Sequence, residues 1–276
     1  MSTPLSAPEP WSLAGKTAIV TGASRGIGRA IALHFARKGL SKIAITYMAN
    51  RDAAQATLDE CRKLGIKHSI AIQADALDPD FGKKIIPQVL QGLETTTIDI
   101  LINNAVLADP TAAKPISETS LKNFSEIMQA NVYAPVSLTV ELMPYLPTYG
   151  GRVVNISSCA SKQANSDPTI TYGASKATLD SFMRSFAGSF AQEKGATFNS
   201  VIVGLTATDT WNQNKDLLGP DFLKEQLLDT SAADRIGVPE DIAYIVGFLA
   251  SEEGRWVNGA AVSANGGNRK VLAALG

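Results

Sequence analysis

The chain has 276 residues, 45% of them hydrophobic and 18% charged, with a formal net charge of -1 at pH 7. That length and apolar share suffice for one substantial core, and α/β folds of this size commonly form a single domain. Near-neutral charge supplies no basic field for nucleic acid, and no stretch approaches the roughly 20 apolar residues of a membrane span, so neither is an expected partner. The two cysteines, Cys61 and Cys159, make no disulfide framework. His34 and His68 stand apart from any Cys or carboxylate cluster with zinc spacing, so no metal site is expected.

In chain order, "MSTPLSAPEPW" lacks both the basic region and the apolar core of a signal peptide, which suggests a cytoplasmic protein. With Pro4, Pro8 and Pro10, residues 1–14 read as a flexible tail ahead of a single domain over 15–276. Short apolar runs then alternate with helical patterns. Strands are expected at 17–21, 43–47, 69–74, 98–103, 152–157, 197–203 and 260–263. Helices are expected near 26–38, 51–64, 80–92, 120–146, 172–193 and 239–251. Continuous Val/Ile strands alternating with helices imply a parallel sheet of about seven strands, covered on both faces.

Ligands of such sheets bind outside the carboxyl ends of the strands, where the strand order reverses. The first strand runs into "TGASRGIG", residues 21–28, just before the first helix. Glycines there let the backbone turn tightly and approach a ligand, while the helix N-terminus offers free N–H groups to a phosphate. A dinucleotide is the expected ligand. The spacing differs from G-x-G-x-x-G, so the rest of the chain has to decide.

Three further stretches converge on the same sheet edge. "YGASK" places Tyr172 and Lys176 four residues apart on one helix face, where an ammonium would favour the phenolate. "GGRVVNISSCAS" delivers Ser157 and Ser158 at a strand end, and "IDILINNA" delivers Asn103 and Asn104. On an alternating strand the two serines point to opposite faces, and the register favours Ser158 as the one facing the cleft.

With these motifs assembled, from about Lys16 to Gly267 the chain resembles the short-chain dehydrogenase/reductase superfamily. "RIGVPEDIA" and "NGAAVSANGG" match its C-terminal pattern, and "QANVYAP" matches the helix bearing its active-site asparagine. The resemblance implies a Rossmann-like, doubly wound α/β fold and an enzyme that transfers hydride between NADP(H) and the carbonyl of a small, apolar molecule. Catalysis would fall to Asn131, Ser158, Tyr172 and Lys176. Tyr172 would supply the proton, Ser158 would orient the carbonyl, Lys176 would grip the ribose and lower the Tyr172 pKa, and Asn131 would anchor a water relay. The cofactor would meet Gly22, Ser24, Arg25, Gly26, Ile27 and Gly28 in the turn, then Tyr47, Asp75, Asn104 and Ala105, together with Tyr172, Lys176, Thr206 and Thr208. An acid at the end of the second strand would bind the 2'-OH of NAD. Here that strand ends with Thr46 and Tyr47, with Asp52 already in the next helix, while Arg25 and Arg51 stand near a 2'-phosphate, which suggests NADP(H). Family members commonly form homodimers or homotetramers through the helices expected at 120–146 and 172–193.

Two positions depart from the pattern. Val106 replaces the glycine of N-N-A-G, and Val203 replaces the proline before Gly204. Both border the nicotinamide, which keeps a rival in view: isomerisation or cyclisation of a reactive intermediate, with the cofactor mainly a scaffold. Cys159 is expected to be a buried packing residue rather than a nucleophile. Trp211, Leu217, Leu218, Phe222, Leu223, Leu227 and Leu228 supply more apolar surface than a solvated loop needs. They are expected either to pack on the domain or to form a lid over an apolar substrate.

Overall fold

Short runs of Val, Ile and Ala build the sheet: β1 (Thr17–Val20), β2 (Lys42–Tyr47), β3 (His68–Gln73), β4 (Ile100–Asn103), β5 (Gly151–Ser158), β6 (Ala196–Val203) and β7 (Ala261–Ala264). In the computed structural model, which describes residues 9–108, 114–214 and 219–275, they form one sheet in the order β3-β2-β1-β4-β5-β6-β7. Every neighbouring pair is parallel. The order reverses between β1 and β4, which opens a crevice at their carboxyl ends.

The helices are α1 (Gly26–Arg37), α2 (Arg51–Lys63), α3 (Phe81–Gly92), α4 (Leu121–Met128), α5 (Ala134–Leu142), α6 (Ile170–Lys194), α7 (Asp209–Asn214), α8 (Gly219–Asp229), α9 (Pro239–Ala250) and α10 (Arg269–Leu275). Alternation along each strand divides the core into two layers. Ala18, Val20, Ile43, Ile45, Ile100 and Ile102 pack with Ile31 and Phe35 of α1, Leu58 of α2 and Val246 and Leu249 of α9. Ile19, Ala44, Leu101 and Val153 pack on the other face with Ile85 and Val89 of α3, Leu138 and Leu142 of α5 and Met183 and Phe186 of α6. Burial on both faces explains why these strands read as unbroken apolar runs.

Two expectations change. The helix expected at 120–146 is four pieces: α4, a π-turn at Gln129–Tyr133, α5 and a 3-10 turn at Met143–Tyr145. The segment expected as a tail to residue 14 is packed on the domain from Trp11 onward. Leu13 is 1% exposed and joins the core, Trp11 sits edge-on to Phe248 at 6.2 Å, and Lys38 Nζ lies 5.6 Å from the Trp11 ring. Apolar and aromatic burial outweighs the nearby prolines there. Residues 1–8 lie outside the described residues, as do Leu217 and Leu218. No helix among the described residues is long and apolar enough to cross a membrane.

Candidate active site at the carboxyl ends of the strands

The glycine turn forms the floor of the crevice. Gly22 (φ 63°) and Gly26 (φ 58°) occupy the left-handed region, and a Cβ on Gly28 would come within 2.6 Å of both Asn104 Nδ2 and Gly22 O. This is a cradle that side chains would fill, which fits the close approach of a diphosphate to a helix N-terminus. Hydrogen bonds pin the turn. Thr21 Oγ1 accepts from the N–H groups of Asn104 and Ala105, each at 2.9 Å, and Thr46 Oγ1 accepts from Gly22 N–H at 3.0 Å. Asn104 Nδ2 donates to the carbonyls of Thr21 (2.9 Å) and Gly22 (3.1 Å). The Asn104 amide donors are therefore spent on the backbone, and the Thr46 hydroxyl already accepts from the turn.

Arg25 is exposed at the N-cap of α1, Ser24 and Ile27 are half-buried, and Tyr47 is 8% exposed. Asp75 is exposed after β3, and its Oδ1 accepts from Leu77 N–H at 2.9 Å. From across the crevice, the segment after β6 folds over the turn. Thr208 lies 3.6 Å from where a Cβ on Gly26 would be, and Asp209 Oδ2 accepts from Gly26 N–H at 3.0 Å. Thr206 is turned inward, 7% exposed, and its hydroxyl donates to Gly204 O at 3.0 Å. The Asp209 contact was not among the expected site residues. Its signal in "TATDT" is an acid at the start of a helix too short for periodicity to reveal.

The corner that holds the candidate catalytic residues is built by β5, α6 and the π-turn. Ser158 ends β5, where its Oγ accepts from Ala160 N–H at 3.2 Å and hydrogen-bonds the Tyr172 side chain. Ser157, on the opposite face of the strand, is 3% exposed, and its hydroxyl has no partner among the described residues. Lys176 is 3% exposed, donates to Ile156 O at 2.9 Å and stands 5.9 Å from the Tyr172 ring centroid.

Burial is the largest influence on the phenol. Burial pushes the Tyr172 pKa up, the Ser158 hydrogen bond opposes that, and Lys176 is not among the groups that lower it. The ammonium faces the ring and a backbone carbonyl. Burial also lowers Lys176 to about 8. Cys159, 7% exposed, is raised to about 11 by burial, the behaviour of an inert packing thiol.

Asn131 ties two segments together through its side chain. Its Oδ1 accepts from Leu107 N–H at 2.8 Å, and its Nδ2 donates to Leu107 O at 3.1 Å and to Ser175 Oγ at 3.2 Å. The side chain is a strap between the loop after β4 and α6. Val106, held beside that strap, is 45% exposed, and it is not among the positive-φ residues, so valine stands there without backbone strain. Val203 is an ordinary member of the ladder, paired with Ser158 and Ala264. Trp211 of α7 and Phe222 of α8 pack ring against ring, with centroids 6.2 Å apart and planes tilted by 34°. Leu223 and Leu228 are exposed by 38% and 67%. No group of three or more His, Cys, Asp or Glu among the described residues is placed to hold a metal ion.

Comparison with known proteins places this geometry. Residues 22–269 match the family model described as Enoyl-(Acyl carrier protein) reductase. The chain is 60% identical over 266 residues to the short chain dehydrogenase penD of Penicillium thymicola, covering 96% of each. It is 59% identical to the short chain dehydrogenase asqE of Emericella nidulans, covering 96% of this chain and 98% of that one. Among solved structures, a short chain dehydrogenase from Burkholderia cenocepacia in complex with NADP is 32% identical. It superposes with a TM-score of 0.81, over 93% of this chain and 98% of the other.

Proposed function

The chain belongs to the short-chain dehydrogenase/reductase superfamily, and from that premise we propose that it is an NADP(H)-dependent oxidoreductase. Its reaction is reduction of a ketone on a small, apolar molecule, or the reverse oxidation. The observation that carries this reading is the buried Lys176 set against Tyr172 and Ser158 beside a glycine cradle. A nicotinamide dinucleotide, when bound, supplies or accepts the hydride. Gly22, Ser24, Arg25, Gly26, Ile27 and Gly28 would hold its phosphates. Tyr47 and Asp75 would flank its adenosine end, and Asn104, Ala105, Thr206 and Thr208 would border its nicotinamide end.

The chain's own groups handle the proton. Tyr172 Oη is kept protonated at neutral pH by burial, so it is set to donate to an oxygen gaining negative charge. Ser158 presents a second hydroxyl to the same oxygen and fixes its direction. One N–H of Lys176 is used by Ile156 O, which leaves two for ribose hydroxyls. Asn131 acts by holding Leu107 against α6, which keeps the wall of the pocket in place. Trp211 and Phe222 supply an apolar roof suited to an apolar substrate. Val106 and Val203 introduce no strain that would favour isomerisation or cyclisation over hydride transfer.

The test is loss of NADPH absorbance with a panel of apolar ketones. Turnover with any of them is expected, whereas tight NADPH binding without turnover across the panel would return the reading to the non-redox alternative. We read Trp11 onward as one domain. Leu121, Phe124, Tyr133, Val140 and Phe182, exposed by 37% to 81%, give α4, α5 and α6 an uncovered apolar surface, which supports a homodimer or homotetramer. Light scattering is expected to give a mass above that of one 29.1 kDa chain. Both cysteines are free and buried, as suits the reducing cytoplasm, where we place the protein.

A further inference from the structure

One helical turn beyond Lys176, α6 carries a second buried charge. Asp180 follows Lys176 by four residues, which puts the two side chains on one face of the helix. That face is turned inward, with Lys176 3% and Asp180 2% exposed. Neither carboxylate oxygen of Asp180 has a hydrogen-bond donor among the described residues. Its cation partner is Lys162, whose Nζ lies 3.3 Å from Asp180 Oδ2. Lys162 caps the short 3-10 turn Cys159–Ser161 that follows β5, so the segment that presents Ser158 also delivers the counter-ion. A carboxylate this deep and this short of donors is costly unless paired. The same face of α6 otherwise uses Leu179, Met183 and Phe186, and a packing role alone would be met better by another apolar side chain.

We propose that Asp180 is a positioning residue for the site: its buried carboxylate, paired with Lys162 and one helical turn from Lys176 on the same inward face, favours the ammonium form of Lys176 beside Tyr172. The proposal rests on the reading of Lys176 as a site residue. Burial pushes Lys176 down to about 8, and Asp180 is the charge that acts against this push. The surrounding elements supply no rival anion. On α6 and at the end of β5, Tyr172 and Cys159 are both raised, and so uncharged at neutral pH. The ionisable residue within β5, Arg152, lies at the far end of the strand and pairs with Glu252 at 3.2 Å. β6 contributes no ionisable side chain. The π-turn brings the half-exposed Tyr133, and α4 brings Lys122 and Glu126, which face each other at 3.8 Å on the surface. A buried ammonium near its titration midpoint is sensitive to one nearby carboxylate, because the intervening medium screens weakly.

The test titrates Lys176 directly, by NMR of the protein labelled at lysine Cε, with the Lys176→Met spectrum identifying the signal. Asp180→Asn is expected to lower the Lys176 midpoint by at least about half a pH unit, a threefold change in its acid constant. Asp180→Glu is expected to restore most of it. Lys162→Met removes the competing cation and is expected to move the midpoint upward, which reads the same coupling even where Asp180→Asn does not fold. An unmoved midpoint in Asp180→Asn, or an unmoved or lowered one in Lys162→Met, overturns the proposal. The titration needs neither cofactor nor substrate. A coupled Lys176 in a protein that reduces no ketone would therefore retain this assignment and sink the proposed reaction. An active reductase with an uncoupled Lys176 would do the reverse.

Discussion

The floor of the crevice and its catalytic corner are built on opposite plans. In the turn after β1, donors and acceptors close on one another: Thr21, Thr46 and Asn104 together make five hydrogen bonds of 2.9–3.1 Å with the backbone around the glycines. At the corner, polar atoms are buried without hydrogen-bond partners among the described residues, among them both oxygens of Asp180 and the hydroxyls of Ser157 and Ser161, and the site groups are shifted from their ordinary pKa values. Satisfied hydrogen bonds make a rigid shape, and unsatisfied buried groups make a site whose charges respond strongly to one another. Shape is the requirement where a phosphate must lie against backbone. Charge response is the requirement where a proton must move.

The largest expected effect comes from removing the proposed proton donor. Tyr172→Phe should keep NADPH affinity within about twofold while turnover falls at least about a hundredfold, the scale of a positioned general acid. Single-turnover reduction beside a fluorescence titration checks both halves. Unchanged turnover would remove Tyr172 from the mechanism.

The floor should fail differently. Gly28→Ala would place a Cβ 2.6 Å from Gly22 O and 2.9 Å from Ala23 Cα, and backbone atoms cannot swing aside as a side-chain tip can. Overpacking of this kind costs about 1–3 kcal/mol, so the melting temperature and NADPH affinity should fall together, the latter by tenfold or more. A variant that binds NADPH normally and melts normally would show the floor to be less rigid than its hydrogen bonds imply.

The two regions also differ in how far the sequence reveals them. Each strand was legible to within two residues at either end, most plainly β1, β2 and β4, where burial on both faces writes itself as short runs of Ile, Val, Leu and Ala. The glycine turn was legible for a related reason, since backbone conformation restricts residue type directly. Asn104 was visible as a site residue, but its work as a clamp on Thr21 and Gly22 was not, because a side-chain amide looks the same whether it faces a ligand or a carbonyl. The break at Gln129–Tyr133 escaped periodicity for a tertiary reason: Asn131 lies inside the π-turn, and its amide is held by Leu107 and Ser175, on other segments. Asp180 was hidden because one charge in a long helix normally means a solvated face, and only the fold turns that face inward. α7, α8 and α10 were too short or too irregular to register.

The smallest effect tests cofactor choice, where the floor meets solvent and its rigidity matters least. β2 ends with Thr46, already accepting from Gly22 N–H, and with Tyr47, 8% exposed. No acid stands at that strand end to bind a ribose 2'-OH or to repel a 2'-phosphate, and Asp52 is exposed in the first turn of α2. Arg25, exposed at the N-cap of α1, and Arg51, exposed at the start of α2, bring two guanidinium groups to the same rim. A guanidinium can hold a phosphate through a charge-assisted pair, but both are solvent-screened, and Asp209 on the neighbouring Gly26 N–H offsets part of the field. The preference for NADPH over NADH should therefore be modest, about tenfold or 1.4 kcal/mol. Arg25→Ala should weaken NADPH several-fold more than NADH, since only the former carries the phosphate that the guanidinium meets. Fluorescence titration of both cofactors against both proteins is the measurement. Equal affinities in the parent, or equal losses in the variant, would show that the missing acid at the end of β2 does not select the cofactor and that Arg25 is only a solvated cap.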